Sequence, residues 1–328
     1  MKKWAYLLSF GFIALCFQLS ANTIYAQQVR LSIDPPIVQT KIKPGKSILV
    51  AYTTENTGDP LALQFVIYTF RPVGKTGGVE LGDLDGPIEF SLENADISLK
   101  TPFFFNTKER KQALIRITIP STTPEGDYYF MIVAESVPTS PSEGRSTSLT
   151  SAQVGAPLLV TVTESGKSEV QARIAEFNVQ NTYDVRLFHK NIKLIDSSQR
   201  LPVILVIENM GANSIQPEGA ITLRKGDKAT TYTLLSQNVL KNSQRVIHTS
   251  PTTGAPTHIS AYVSGFSIGS HSLSAQVSYG SNTPVQFSTV EVFAIPFRIL
   301  SLVCVTLLLS VGIVYFSKKK KRADKDSY

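Results

Sequence analysis

Residues 299–316 constrain the fold most, because these 18 residues contain no charged side chain. As an α-helix with a rise of about 1.5 Å per residue, they span roughly 27 Å, close to the hydrocarbon thickness of a bilayer. Five basic residues follow almost at once: Lys318, Lys319, Lys320, Lys321 and Arg322. Basic residues beside a span remain on the cytoplasmic side, so we interpret them as a stop-transfer signal and place residues 27–298 outside the membrane.

The N-terminus has the three-part order of a secretory signal peptide. Lys2 and Lys3 are basic, residues 7–19 carry no charge, and Ala26 is a small residue suited to signal cleavage. We therefore predict that residues 1–26 are removed on export. A retained N-terminal membrane anchor is the alternative.

Most of the net charge of +7 lies at the two ends of the chain. Of the 32 basic and 25 acidic residues, the two N-terminal lysines and the tail after Ser317 hold eight basic and two acidic ones. Residues 27–298 therefore hold 24 basic and 23 acidic residues, a net charge of +1. This balance argues against a nucleic-acid partner, which would need a basic footprint.

The two cysteines, Cys16 and Cys304, lie in the predicted signal peptide and in the predicted span. The exported part therefore has no cysteine, although exported domains are often stabilised by disulfides. Domains of about 130 residues can bury a sufficient core without such crosslinks. Residues 27–298 also contain no N-x-S/T sequence, and together these features favour a bacterial envelope over an animal cell surface.

Short runs of β-branched and aromatic residues, separated by Gly, Pro and Asn, dominate the sequence from Val29 onward. In the first half they predict strands at residues 47–54, 61–70, 113–119, 128–134 and 157–162. Arg71 and Pro72 are expected to end the second of these strands. Strands of this length and spacing are typical of an antiparallel sandwich.

The second half repeats the same order of features. Glu55-Asn56-Thr57-Gly58 follows a predicted strand, and Glu208-Asn209-Met210-Gly211 follows another at residues 201–207. The prediction is an all-β protein with two Ig-like antiparallel β-sandwich domains and one C-terminal transmembrane α-helix. Its parts are a signal peptide at 1–26, domains at 27–166 and 167–292, the helix at 293–317 and a cytoplasmic basic tail at 318–328.

Two features are candidates for binding a partner. Residues 137–151 are rich in Ser and Thr and predict a mobile loop that includes Arg145, with a solvated connector as the alternative. Phe103, Phe104 and Phe105 are consecutive, and side chains alternate across a strand, so the three cannot all face one core. Either Phe104 or the flanking pair must point the other way, towards the other domain or an external partner.

No pattern in the sequence indicates catalysis, a metal site or a cofactor. The four histidines do not form a zinc motif, and the predicted exported part has no cysteine to complete one. Residues 82–86 lack the later glutamate of a calcium loop and predict a tight acidic turn. Tyr128 resembles a tyrosine corner, and His271 has the same place in the second block, so we interpret both as structural.

The chain resembles the WxL-interacting protein family of Gram-positive cell envelopes. The layout matches over the whole chain, while the motifs match in the first domain and the membrane segment. The matching residues are Lys43-Pro44-Gly45-Lys46, Glu55-Asn56-Thr57-Gly58, Ile119-Pro120, Gly126-Asp127-Tyr128, and Val154-Gly155 before Leu158-Leu159-Val160-Thr161-Val162. The resemblance implies a non-enzymatic role, with the first domain associated with peptidoglycan and the second with host or partner proteins. It also implies that the pair tethers WxL-domain proteins at the wall.

These observations lead us to expect a non-enzymatic binding or scaffold protein held at the outer surface of the membrane. Its expected partner is a cell-wall polymer or another surface protein, a WxL-domain protein among them. An envelope enzyme or accessory subunit with dispersed active-site residues is one alternative, and a passive structural spacer is another. No L-P-x-T-G sequence precedes the span, so retention should depend on the helix.

Overall fold

The computed structural model of the chain describes residues 28–137, 152–187, 190–250, 258–280 and 283–323. Within these ranges, two β-sandwiches follow one another and one long helix comes after them. The predicted all-β, Ig-like fold class with a single C-terminal helix is therefore confirmed.

The first sandwich is built from ten strands. They are β1 Leu31–Asp34, β2 Val38–Ile42, β3 Ser47–Asn56, β4 Leu61–Val73, β5 Gly78–Gly82, β6 Glu89–Leu92, β7 Phe103–Phe105, β8 Arg110–Thr118, β9 Gly126–Ser136 and β10 Gln153–Val162. One sheet has the order β1-β3-β8-β6, and the other has the order β2-β10-β9-β4-β5 with β7 paired to β4. The described strand pairs are antiparallel except β2 and β10, which run parallel with Val38 opposite Leu158.

The core of this sandwich lies between its two sheets. Burial in β8 alternates, with Ala113, Ile115 and Ile117 inside and the residues between them half-buried. This period of two places one face of each strand in the core, where burying about 25 cal/mol per Å² of apolar surface stabilises the fold. Phe65 and Phe105 are completely buried between the sheets.

The second sandwich also has ten strands. They are β11 Ala172–Val179, β12 Tyr183–Leu187, β13 Lys190–Asp196, β14 Leu201–Asn209, β15 Glu218–Lys225, β16 Lys228–Thr233, β17 Ser243–Val246, β18 Ala261–Val263, β19 Gly269–Ser278 and β20 Gln286–Ile295. Its sheets have the orders β11-β14-β17, with β18 on β14, and β12-β13-β20-β19-β15-β16. As in the first sandwich, the last strand runs parallel to an early one, here β13.

The repeated Glu-Asn-x-Gly sequence has the same structure in both sandwiches. Asn56 and Asn209 are buried at the ends of β3 and β14, and each Oδ1 accepts the N–H of the glycine two residues later at 2.9 Å. Each Nδ2 donates to backbone carbonyls of neighbouring loops. The glycines allow an incoming segment to approach closely: a Cβ on Gly58 would lie 2.1 Å from the carbonyl oxygen of Gln28, and one on Gly211 would lie 3.0 Å from that of Glu169.

The predicted strands of the first half coincide with β3, β4, β8, β9 and β10. The predicted end of β4 was wrong, because the strand continues through Arg71 and Pro72 to Val73. Pro72 lies opposite Val79 of the edge strand β5, beyond Thr69, where the pairing of β4 with β9 stops. A proline is tolerated there because this part of β4 has a partner on one side and needs fewer N–H donors.

A helix, α1, covers Phe297–Ala323 and follows β20 after a single residue. Its part from Phe297 to Tyr315 is long and apolar enough to cross a membrane, and none of that stretch is buried against the sandwiches. β20 continues to Ile295, so residues 293–295 at the start of the predicted span belong to a strand. Lys318, Lys319, Lys320, Lys321 and Arg322 lie in the last part of α1.

Candidate functional site

A buried carboxylate joins the two sandwiches. Asp127, at the start of β9, is 1 % exposed. Its Oδ1 accepts hydrogen bonds from the Thr161 hydroxyl at 2.7 Å and from Asn213 Nδ2 at 2.9 Å. Its Oδ2 accepts the backbone N–H of Ser214 and the hydroxyl of Tyr129. Two donors thus come from each sandwich, and together they satisfy a charge that would be costly to bury alone.

Lys241 of the second sandwich reinforces this joint. Its ammonium donates to the backbone carbonyl of Asp127 and lies 5.4 Å from the ring centre of Tyr128 and 5.7 Å from that of Tyr129. Its backbone N–H donates to the Tyr129 hydroxyl at 2.8 Å. Burial lowers the pKa of the Lys241 ammonium, and the charge of Asp127 opposes that shift. Burial also raises the pKa of Tyr129, which therefore remains a neutral hydrogen-bond donor.

An apolar contact lies beside the polar joint. Phe70, Tyr129 and Leu159, on the outer face of the first sandwich, form a buried cluster with Leu240 of the second. The rings of Phe70 and Tyr129 are stacked with their centres 5.6 Å apart. This apolar contact adds buried surface to the hydrogen bonds that join the two sandwiches.

Two further contacts hold the sandwiches in one orientation. The segment between β10 and β11 is tied to both sides, since Lys41 Nζ donates to the carbonyl of Gly166 at 3.3 Å and the N–H of Glu169 donates to Asn213 Oδ1 at 2.9 Å. The turn between β4 and β5 reaches the second sandwich, where the carbonyl of Lys75 accepts the N–H of Val246 at 2.8 Å. These contacts join the two sandwiches in one arrangement in this structure.

A cleft of about 610 Å³ opens on one side of this interface. Gln39 and Lys41 of β2 form one wall, and Gln216, Glu218 and Asn238 of the second sandwich form the facing wall. Gln216 Nε2 donates to Asn238 Oδ1 at 2.8 Å, which orients the two amides. One wall offers an amide and an ammonium group, and the facing wall offers amides and a carboxylate. Together they can donate hydrogen bonds to a polar ligand and accept hydrogen bonds from it.

A smaller cleft of about 260 Å³ lies on the other side and is mainly apolar. Its lining includes Phe70, Pro72 and Leu240, together with the guanidinium-bearing Arg245. Arg245 Nη1 donates to the carbonyl of Asn238 at 2.7 Å, while its Nε is buried without a hydrogen-bond partner among the described residues. Burial lowers the pKa of this guanidinium, which nevertheless stays charged at neutral pH.

The three predicted phenylalanines alternate as their spacing requires. Phe105 is completely buried and Phe103 is half-buried, whereas Phe104 is 63 % exposed. Phe103 stacks on Phe65 at 5.7 Å, with Lys111 Nζ 5.0 Å from its ring centre. Phe104 therefore points to solvent from the short edge strand β7, opposite Ala62 of β4.

The side chains interpreted as structural bond to nearby backbone groups. The Tyr128 hydroxyl donates to the carbonyl of Pro124 at 3.0 Å, as in a tyrosine corner. His271 Nε2 contacts the carbonyl of Ser267 at 2.7 Å, again four residues earlier. Asp85 Oδ1 accepts the N–H of Gly86 at 2.7 Å in a tight acidic turn. Within the described ranges, no group of three or more His, Cys, Asp or Glu residues is placed to hold a metal ion.

Some predicted features lie outside the described residues. These are the signal peptide with its cleavage at Ala26, and residues 138–151 of the predicted loop, including Arg145. The joint at Asp127 was missed by sequence reasoning. Its one local signal was an acidic residue between Gly126 and Tyr128, at the start of an otherwise apolar strand.

The fold and the joint define a class: two Ig-like β-sandwiches fixed to each other by a buried polar contact and followed directly by an apolar helix. No protein-family model and no curated protein matches the chain. Among solved structures, the chain is similar to the class 5 fimbriae chaperone CfaA, with 11% identity, a TM-score of 0.35, and 81% of this chain and 100% of that chain covered.

Two other solved structures are similar to the same extent. The E. coli chaperone DraB has 14% identity and a TM-score of 0.35, with 80% of this chain and 98% of that chain covered. The Pseudomonas aeruginosa chaperone CupB2 has 10% identity and a TM-score of 0.33, with 79% of this chain and 98% of that chain covered.

Proposed function

We propose that this chain is a non-enzymatic binding and scaffold protein of a bacterial envelope, anchored by α1 with its sandwiches outside and its basic end in the cytoplasm. The resemblance to WxL-interacting proteins and the apolar stretch from Phe297 to Tyr315 support this topology. The ligand that the site favours is a wall polymer, and the alternative ligand is another surface protein such as a WxL-domain protein.

The observation that carries the proposal is the cleft of about 610 Å³ between two rigidly joined sandwiches. A wall glycan presents hydroxyl, amide and carboxylate groups, and the side chains of Gln39, Lys41 and Gln216 can pair with all three kinds. A cleft whose walls are already fixed binds without the entropy cost of ordering two domains. Anchoring then keeps the bound polymer at the membrane surface and raises its local concentration.

The test is retention of the detergent-solubilised full chain on isolated cell wall. The double variant Gln39→Ala, Gln216→Ala should bind about 30-fold more weakly, since two lost hydrogen bonds are worth about 1 kcal/mol each. Gln112→Ala is the matched control, because it removes the same group from the exposed face of β8, away from the cleft. Failure of the unmodified chain to bind wall, or an equal loss in the control, would refute polymer binding in this cleft.

Phe104 favours the second candidate, a protein partner. An exposed aromatic side chain on an edge strand can enter a pocket of another protein while the strand offers backbone hydrogen bonds. In capture of a purified WxL-domain protein, Phe104→Ala should weaken binding by about 30-fold, as expected for an aromatic anchor. Leu49 is 50 % exposed on the opposite sheet, so the control substitution Leu49→Ala should leave capture unchanged.

A further inference from the structure

The first turn of α1 is fixed to the second sandwich. Only Pro296 separates the end of β20 at Ile295 from Phe297. The N–H of Arg298 donates to Asp196 Oδ2 at 3.0 Å, and the ring of Phe297 packs edge-on against Tyr183 with the ring centres 6.0 Å apart. If α1 enters a bilayer here, the end of the sandwich that carries these contacts must lie at the membrane surface.

Strand register shows which other segments share this end. Asp196 of β13 lies opposite Ile295, so the turn of residues 197–200 comes next to the start of α1. Gly269 of β19 lies opposite Ala294, which brings Ile268 to the same level. Lys225 Nζ donates to the carbonyl of Ile268 at 2.8 Å, so the turn of residues 226–227 also lies at this end.

The exposed side chains at this end are mainly basic and apolar. Arg200, Lys225 and Lys228 form no ion pair with a carboxylate of the described residues. Ile268 is 65 % exposed and Tyr183 is 66 % exposed, both unusually open for side chains of their kind. The carboxylate of Asp196 already accepts hydrogen bonds from Ser198 and from the N–H of Arg298. Asp227 is the acidic side chain of the turn between Lys225 and Lys228.

We propose that this membrane-proximal end, formed by Tyr183, Arg200, Lys225, Lys228, Ile268 and Arg298, rests on the anionic lipid headgroups of the bilayer that holds α1. Basic side chains pair with headgroup phosphates, while aromatic and aliphatic side chains enter the interfacial layer. Beside Arg298 there is also a cleft of about 460 Å³, large enough for a headgroup. The inference depends on the membrane anchoring proposed above.

The lipid contact would give the ectodomain a defined height and tilt. Each basic residue near an anionic surface shifts the equilibrium towards the resting position about fivefold. The three that belong to the sandwich, Arg200, Lys225 and Lys228, therefore hold the domain down about 100-fold more firmly on anionic than on neutral lipid. A domain held in this way presents its interdomain cleft at a fixed distance from the membrane.

The experiment places a tryptophan at Ile268 in the full chain, in a background where Trp4, the one native tryptophan, is replaced by Phe. The protein is reconstituted in vesicles of phosphatidylcholine with phosphatidylglycerol that contain lipid brominated near the headgroup. Emission of the Ile268→Trp variant should be quenched. It should recover when phosphatidylglycerol is omitted, or when Arg200, Lys225 and Lys228 are changed to Gln. A Leu49→Trp control in the first sandwich should not be quenched in either lipid.

A fourth variant separates this inference from the anchoring on which it depends. Leu302→Trp, within α1, should be quenched in both lipid compositions because it reports insertion of the helix. Quenching of Leu302→Trp without quenching of Ile268→Trp would overturn the lipid contact and leave the anchoring intact. No quenching of Leu302→Trp would overturn the anchoring itself. The change of lipid alters no residue, so the comparison holds even if the triple substitution disturbs the turn held by Lys225.

Discussion

At the scale of single residues, buried amides close the same turn in both sandwiches. Asn56 Nδ2 donates to three backbone carbonyls, those of Asp59, Phe105 and Asn106, at 2.9 to 3.3 Å. Asn209 Nδ2 donates to those of Asn213 and Val239 at 2.8 and 3.0 Å. A buried carbonyl without a donor costs free energy, so each asparagine supports several loops at once.

Replacing either asparagine should therefore destabilise its own sandwich. Asn56→Ala and Asn209→Ala should each lower the free energy of unfolding by about 2–3 kcal/mol, because each removes the amide donor to neighbouring loops and leaves the N–H of Gly58 or Gly211 without its acceptor. Urea unfolding followed by circular dichroism measures the loss. Gln153→Ala, on the exposed start of β10, should change stability by less than about 0.5 kcal/mol. If either asparagine variant behaves like that control, its hydrogen bonds do not stabilise the fold.

Residue roles were predictable from sequence where the partners are close in the chain. The hydroxyl of Tyr128 bonds to a carbonyl four residues earlier, and its place two residues after Gly126 is a local signal. Asp127 lies between Gly126 and Tyr128, but its partner Asn213 is 86 positions away in the chain. A buried contact between two domains leaves no periodic pattern in either, so sequence alone showed an ordinary acidic residue.

At the scale of elements, strands with one buried face were predicted and fully exposed edges were not. β8 alternates buried and half-buried residues and was found, whereas all five residues of β5 are exposed and carry no such pattern. The start of α1 was also ambiguous in sequence. Residues 293–295 are apolar whether they end a strand or begin a span, and pairing with β19 assigns them to β20.

The junction between β20 and α1 should depend on pH through Asp196. The Ser198 hydroxyl and the N–H of Arg298 hold the pKa of Asp196 below its ordinary value. A depressed pKa in the folded state means that the carboxylate contributes stability above its ordinary pKa of about 3.9, and that this contribution is lost as the pH falls further. The full chain in detergent should therefore lose stability below about pH 4.

Thermal unfolding of the full chain and of Asp196→Asn, measured between pH 7 and pH 3, checks this expectation. The Asp196→Asn variant should begin with a lower midpoint, because it lacks the charge at the start of α1. It should also lack the part of the acid-induced decrease that belongs to this group. Parallel pH curves for the two proteins would show that Asp196 is not the titrating group.

At the scale of the whole molecule, the two sandwiches are coupled by contacts that use few residues. Asp127 receives donors from both sides, and Leu240 packs into the aromatic face of the first sandwich. The large cleft exists because this orientation is fixed, since its walls come from different sandwiches. The binding proposed for the cleft therefore depends on the rigidity of the joint.

Asp127→Ala should release the sandwiches from each other without unfolding either. The substitution leaves four donors without an acceptor at a buried interface, a cost of about 3 kcal/mol or more that separation of the domains relieves by exposing them to water. Spin labels at Leu49→Cys and Phe287→Cys, in a background where both native cysteines are changed to Ser, should give one narrow distance distribution in the parent protein and a broad one in the variant. Glu80→Ala, which removes an exposed ion-pair partner of Arg71, should keep the narrow distribution.

The same variant connects the joint to the proposed function. Asp127 does not line the large cleft, so its loss can reach a ligand there by changing the distance between the two walls. Asp127→Ala should therefore weaken retention on isolated wall about as much as Gln39→Ala with Gln216→Ala, while urea unfolding shows both sandwiches intact. A broad distance distribution combined with full wall binding would move the polymer site from the cleft to the surface of a single sandwich.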